Sequence, residues 1–205
     1  MTTRERMVAE QIRARGVADP RVLDAMSRVP RHLFIPEKDR GEAYEDRPVA
    51  IGFGQTISQP YIVGFMTESL QIEPSHRVLE IGTGCGYQTA VLAELSRDVY
   101  SIERIDALAT VARRTLEALG YTNVHMRTGD GHAGWPEEAP YDRILGAAAA
   151  ASLPPALVEQ LVEGGILVIP VGTSDQQLQV LRKRGDTTQL LSWLRVRFVP
   201  MIREQ

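Results

Sequence analysis

The stretch VLEIGTGCGYQTAVL, residues 78–92, decides the fold. A short apolar run enters a turn in which Gly82, Gly84 and Gly86 alternate with Thr83 and Cys85, and apolar residues at helical spacing follow. A buried strand that passes through glycines into a helix is the first half of a βα unit. Glycines there let the main chain turn tightly and let a ligand approach the backbone with no Cβ in the way. The spacing is G-x-G-x-G. The third glycine comes one residue too early for the G-x-G-x-x-G of dinucleotide binders, which disfavours a nicotinamide-dependent oxidoreductase. Taken alone, the glycine turn is equally compatible with close packing.

Outward from this turn the alternation continues. RVLEIG (77–82) reads as a strand and 87–96 as a helix; VYSIE (99–103) is the next strand and 105–120 a helix stopped by Gly120. NVHMRTGD (123–130) and YDRILGAA (141–148) are further strands with their loops. Residues 154–165 read as a helix with proline early and glycine late, and GILVIPVG (165–172) as a strand. Residues 177–185 and 190–202 alternate as antiparallel strands near an edge. This is the pattern of a doubly wound α/β fold with a mostly parallel sheet, whose ligands sit where the strand order reverses. Before it, residues 4–15 and 20–28 have helical spacing, broken by Gly16 and Pro20, with Asp19 as N-cap. Residues 29–36 are turn-rich, and GQTISQP (54–60) leads into a helix-like run at 61–70. One domain is expected, with residues 1–60 as a helical, substrate-side extension and 61–205 as the cofactor-binding core.

Composition narrows the classes. No apolar run approaches the ~20 residues that span a bilayer, and the charged N-terminus has no signal-peptide core. Cys85 is the only cysteine, which excludes an internal disulfide and suits a reducing cytoplasm. His32, His76, His125 and His132 show no ligand spacing, so no metal is expected. A net charge of −3 disfavours a general nucleic-acid binder.

Three carboxylates follow the strands. Glu80 precedes Gly82, Glu103 closes the second strand, and Asp130 lies in TGDGHAGW after the third. Glu103 suits both hydroxyls of a ribose, and Asp130 suits an adenine amino group with Gly131 letting the base lie close. Glu80 suits an ammonium, directly or through water. A nucleoside without phosphates but with an amino-acid end satisfies this set, which points to S-adenosylmethionine. Each has a plainer role open to it: Glu80 as a cap for the next helix, Glu103 paired with Arg104, and Asp130 in an Asx turn. Cys85 reads as filler, with nothing cationic beside it in sequence to activate a thiol.

The sequence resembles the protein-L-isoaspartate (D-aspartate) O-methyltransferase family over nearly its whole length. The likeness runs through MVAEQIRARGVADPRVLDAMSRVPRHLF, IGFGQTISQPYIVGFM, VLEIGTGCGYQTAVLAEL, YSIERIDAL, GDGHAGW, LVEGGILVIPVG and RFVPM. The glycine loop is shared by many methyltransferases, whereas TISQP and VPRHLF are specific to this family. The resemblance implies a class I S-adenosylmethionine-dependent methyltransferase fold and methylation of the α-carboxylate of L-isoaspartyl residues in damaged proteins and peptides. It implies that Ser58 is the active-site serine with Thr56 beside it, and that Ile57 adjoins the cofactor. It likewise gives Glu80, Gly82, Gly84 and Gly86 to the cofactor loop, Glu103 to the ribose, and Asp130 with Gly131 to the adenine. A cytoplasmic enzyme, favoured as a monomer, with no membrane or nucleic-acid partner, is expected. From spacing alone Ser58 equally suits a helix cap. Another methyltransferase acting on a small molecule or RNA, and a non-catalytic cofactor-binding module, are the competing readings. Two departures stand out. Ala147, Ala148, Ala149 and Ala150 replace a family pattern close to T-A-A-P, which is expected to loosen that loop. Arg143 interrupts a strand that is normally apolar, and either reaches around an edge or pairs with a carboxylate.

Overall fold

The computed structural model describes residues 2–202. The chain opens with α1 (Thr3–Arg6), set by a capping box in which the Thr2 hydroxyl accepts from the Glu5 amide while the Glu5 carboxylate accepts from the Thr2 amide. The helical path continues through a wider π turn, Met7–Ile12, and a 3-10 turn, Arg13–Arg15, and ends at Gly16 with φ 100°. The expected helix over 4–15 is therefore one helical segment with three geometries. α2 (Pro20–Arg28) starts as its sequence specifies, with the Asp19 side chain accepting from the Arg21 amide at 2.8 Å.

A hairpin follows that the sequence reading does not contain. β1 (Val49–Gly52) pairs antiparallel with β2 (Gln55–Ile57), Val49 opposite Ile57 and Ala50 opposite Thr56. The turn between them takes φ of 93°, 53° and 69° at Gly52, Phe53 and Gly54. GQTISQP is thus strand up to Ile57, and α3 (Pro60–Ser69) begins only at its proline.

The main sheet uses β3 (Arg77–Ile81), β4 (Asp98–Glu103), β5 (Val124–Thr128), β6 (Tyr141–Gly146), β7 (Leu161–Val171), β8 (Gln176–Arg184) and β9 (Thr187–Val196), in the order β5-β4-β3-β6-β7-β8-β9. The first five are mutually parallel; β8 and β9 close the edge antiparallel, as expected. Between them run α4 (Tyr87–Ala93), α5 (Asp106–Ala118) and α6 (Pro155–Glu159). The strand order reverses between β3 and β6. Both faces of β3 are covered: Val78 packs in the core shared with the N-terminal helices, α3 and α4, while Leu79 and Ile81 join a second core with Ile144, Leu157 and Leu167. The N-terminal helices fit closely, since a Cβ on Gly64 of α3 would stand 2.8 Å from the Ile12 side chain. No helix among the described residues is long and apolar enough to cross a membrane.

Three expectations are corrected. The helix read over 154–165 is only the five residues of α6. The chain turns into β7 at Leu161, where Lys183 Nζ donates to the carbonyls of Glu159 and Leu161, and the pairing slips between Tyr141 and Arg143. The alanine loop is not loose, because its order comes from main-chain bonds. Ala147 N donates to Ile81 O, Ala149 N to Val199 O and Ala150 N to Pro170 O, while Ala149 O and Ala150 O accept from Met201 and Gly172. Arg143 pairs with no carboxylate. Its guanidinium donates to the carbonyls of Leu70 and Gln71, the uncapped end of α3, and to Asp142 O.

Replacing Arg143 by Met keeps the apolar stem and leaves those carbonyls unpaired. Urea unfolding is expected to show a loss of about 1–3 kcal/mol; an unchanged midpoint would contradict the capping role.

Candidate active site

At the carboxyl ends of β3, β4 and β6 lies a cleft with about 870 Å³ of empty space, open to solvent on one side. Its floor is the glycine turn. Gly82 and Thr83 both donate main-chain bonds to Ile102 O, at 2.8 and 3.3 Å, which splits the chain away from β3. Gly86, with φ 90°, starts α4 so close to α5 that a Cβ would press on Leu116 and Ala112 at 3.2 and 3.3 Å.

Glu103 fastens this turn. One carboxylate oxygen accepts from the Gly84 amide at 2.7 Å and the other from the Ile105 amide at 2.9 Å. The side chain is 6% exposed and lines the cleft. A carboxylate has about four lone-pair sites, so two remain for a ligand. It makes no ion pair with Arg104, so that plainer reading falls away. Arg104 instead lines the cleft with a buried Nε that has no hydrogen-bond partner.

Glu80 sits elsewhere. It is fully buried and does not line the cleft; Oε2 accepts from Thr89 Oγ1 at 2.5 Å and Ser101 Oγ at 2.6 Å. Burial pushes its carboxyl up to about 8, against the pull of the two hydroxyls, and the nearby Glu103 charge adds to the rise. A direct contact with a ligand ammonium is therefore not what this geometry offers. The alternation of β3 explains the placement: Glu80 shares a face with Val78, towards α4, while Ile81 points the other way.

Asp130 caps the short turn Gly131–Ala133, accepting from the His132 amide at 2.9 Å and meeting His132 Nδ1 at 2.8 Å. Gly129 and Gly131 line the cleft beside it. Gly131 is required by packing: a Cβ would stand 2.2 Å from Ile81 Cγ2.

Ser58 lies between β2 and α3. The N-cap position of α3 belongs to Gln59, so the serine is not the helix cap. Among the described residues the Ser58 hydroxyl has no hydrogen-bond partner, yet it borders both the cleft and an adjoining groove, as does the exposed Thr56. Ile57, 4% exposed, presents its side chain to the cleft from the core.

One residue of this site was read only as part of a turn. Arg31 is fully buried with no carboxylate partner; Nε donates to Ala43 O at 2.7 Å and Nη2 to Ser58 O at 2.8 Å, and the guanidinium lies 4.9 Å over the Tyr87 ring. Burial lowers its pKa from the usual arginine value and pushes the Tyr87 hydroxyl up to about 12 and the Cys85 thiol up to about 11. Cys85 is accordingly an inert filler. Val199, Pro200, Met201 and Ile202 close the cleft from the far side, a contribution only the docked C-terminal segment reveals. No cluster of three metal-ligating side chains occurs among the described residues.

The Glu80 carboxyl gives a pH test. Its folded value lies above the ordinary carboxylate range, so its proton is retained on folding from about pH 4.5 to 8. The stability it contributes is complete below that window and is lost as pH rises through it. Glu80→Gln is therefore expected to gain stability relative to the parent between pH 5 and pH 9. Urea midpoints whose difference stays constant over that range would refute the protonated state.

A family model for protein-L-isoaspartate(D-aspartate) O-methyltransferase matches residues 2–205. The protein-L-isoaspartate O-methyltransferase of Picosynechococcus sp. is 54% identical over 198 residues, covering 97% of this chain and 89% of its own. The one from Gloeobacter violaceus is 50% identical, covering 97% of this chain and 98% of its own. A Plasmodium falciparum protein described as a protein-L-isoaspartate O-methyltransferase, solved in complex with S-adenosyl-L-homocysteine, superposes with TM-score 0.84 at 26% identity and full coverage of both chains. Another solved protein-L-isoaspartate O-methyltransferase also gives TM-score 0.84, at 29% identity; the match covers 96% of this chain and 65% of that longer one. With the glycine turn, the Glu103 anchor and the Thr56–Ser58 segment meeting at one cleft, the chain belongs to the protein-L-isoaspartate(D-aspartate) O-methyltransferase family.

Proposed function

We propose that the chain methylates the free α-carboxylate of L-isoaspartyl residues in damaged proteins and peptides, with S-adenosylmethionine as donor. The observation that carries this reading is the Ser58 hydroxyl, unengaged at the seam between the glycine-turn cleft and the second groove. The cleft suits the donor on its own chemistry. Gly82 and Gly84 bring bare backbone to its floor, Glu103 retains acceptor sites for a diol, and Ile81, Ile102, Ile105 and Met66 supply apolar walls. When bound, S-adenosylmethionine supplies an electrophilic methyl group on a sulfonium centre.

The rest of the work falls to the chain. A carboxylate of pKa ~3.5 is already ionised at neutral pH, so no general base is needed and none lines this seam. What remains is to hold the anion at a near-attack distance of roughly 3–3.5 Å and to replace its lost water with fixed donors. A neutral hydroxyl does both: a cation in contact would quench the nucleophile and a carboxylate would repel it. Ser58 is proposed as that donor, with Thr56 beside it. Arg31 holds the Ser58 backbone through its carbonyl and so fixes the main chain from which the hydroxyl projects. The following backbone amide nitrogen then attacks the methyl ester and expels methanol, and water reopens the resulting succinimide in part to ordinary aspartate. The cytoplasm is the compartment we propose, since the single thiol is buried and needs no oxidising surroundings.

The decisive assay compares methylation of a synthetic isoaspartyl peptide with its aspartyl isomer; equal labelling, or none, would overturn the function. Ser58→Ala is expected to keep donor affinity while single-turnover methylation falls by roughly 10²-fold, the scale of a lost positioning donor. Glu103→Gln is expected to weaken donor binding roughly tenfold or more, read by calorimetry, because a charged acceptor is lost and its amide faces main-chain N–H groups. Unaltered affinity would remove the ribose assignment.

A further inference from the structure

The groove that shares Thr56, Ser58, Ala147 and Val199 with the cleft has an unusual electrostatic character. Three arginines, Arg15, Arg195 and Arg197, are among its lining residues and no carboxylate is, in a chain whose net charge is −3. The three are not equivalent. Arg15 donates to Asp46 at 2.8 Å and stacks 3.6 Å over the Tyr61 ring. Arg195 pairs with Asp175 at 3.3 Å in a neighbouring groove that Arg197 also borders. Arg197 has no ion-pair partner among the described residues. It lies one residue beyond the end of β9 and is exposed.

We propose that this groove selects peptides with acidic side chains close to the isoaspartyl residue, and that Arg197 is the specificity-determining group. The inference deepens the methyltransferase reading and rests on it. A planar guanidinium with no internal partner is set to take a carboxylate in a two-pronged bond, a geometry an ammonium does not offer. Arg15 and Arg195, each already half-neutralised, add a field of the same sign. The apolar walls from Ile62, Leu194 and Phe198 weaken the screening that open solvent would impose. The reacting carboxylate itself is left to Ser58, whose neutral hydroxyl borders the methyl-donor cleft. The arginines border the groove but not the methyl-donor cleft, which leaves them to the neighbouring residues of the peptide.

Three isoaspartyl peptides, identical except for Glu, Gln or Lys at the residues flanking the isoaspartyl, provide the test. With the parent enzyme at low ionic strength, kcat/KM is expected to fall in the order Glu, Gln, Lys. The span is roughly threefold to tenfold, because exposed pairs are individually weak. The difference is expected to lie in KM and to narrow in 0.5 M salt, where the Debye length drops to a few ångströms. Arg197→Glu is expected to reverse the order, and Arg197→Gln to compress it. Equal kcat/KM for the three peptides, or an order that survives Arg197→Glu, would overturn the selectivity while leaving the methyltransferase reading intact. Failure to methylate any of the three would remove the parent reading and this inference with it.

Discussion

The carboxylate of Glu103 is the fixed point of the site. It ends one strand of a parallel sheet, yet its two oxygens bind the amides of Gly84, on the neighbouring strand's turn, and Ile105, at the start of its own helix. Two βα junctions are thereby locked to one planar group. The glycines make the turn sterically accessible, but nothing in a glycine selects one conformation among the many it permits. The carboxylate does so, and charge-assisted bonds to main-chain N–H groups are the strong kind. The same side chain lines the cleft, so one group sets the shape of the floor and keeps acceptor capacity beside it.

A second acid does a different job a few ångströms into the protein. Glu80 is a buried carboxyl with hydroxyl donors from Thr89 and Ser101, joining β3 to α4 and β4 behind the turn. A charge so far from water is costly, and protonation relieves that cost. The two acids therefore differ by environment: the one at the cleft ties the turn to the start of α5, and the one behind it ties the strand and helix that carry the turn.

Much of this was legible in the sequence, and the failures have physical causes. The glycine spacing, the five parallel strands and the cap on α2 rest on local chemistry that a short window contains. The β1–β2 hairpin escaped because strands of four and three residues carry too little alternation to separate from a loop. The helix over 154–165 was overextended because Leu157, Val158 and Leu161 keep helical spacing across a boundary that a distant lysine and a β-bulge impose. The order of the alanine loop is not legible because it does not depend on side chains: the main chain from 147 to 150 is held by Ile81, Pro170, Gly172, Val199 and Met201, all distant in sequence. For Glu80 the period of the strand already contained the answer, since position 80 faces the same way as Val78.

Arg31 shows what long-range geometry adds to the same residues. Within VPRHLF it is one basic residue of a turn; in the fold it is a buried cation with no counter-charge. Desolvation of the guanidinium is offset only in part by dipoles: two carbonyls accept from it and the Tyr87 ring faces it, while Nη1 is buried with no hydrogen-bond partner. The fork donates to Ala43 and Ser58 and stacks over the ring of the first residue of α4, where an ammonium's point charge would give up the directionality. The backbone of Ser58 and the helix that leaves the glycine turn are thus referred to one rigid group. A displacement of either would leave a buried charge short of a partner, which is a steep restoring force for a site whose chemistry depends on alignment.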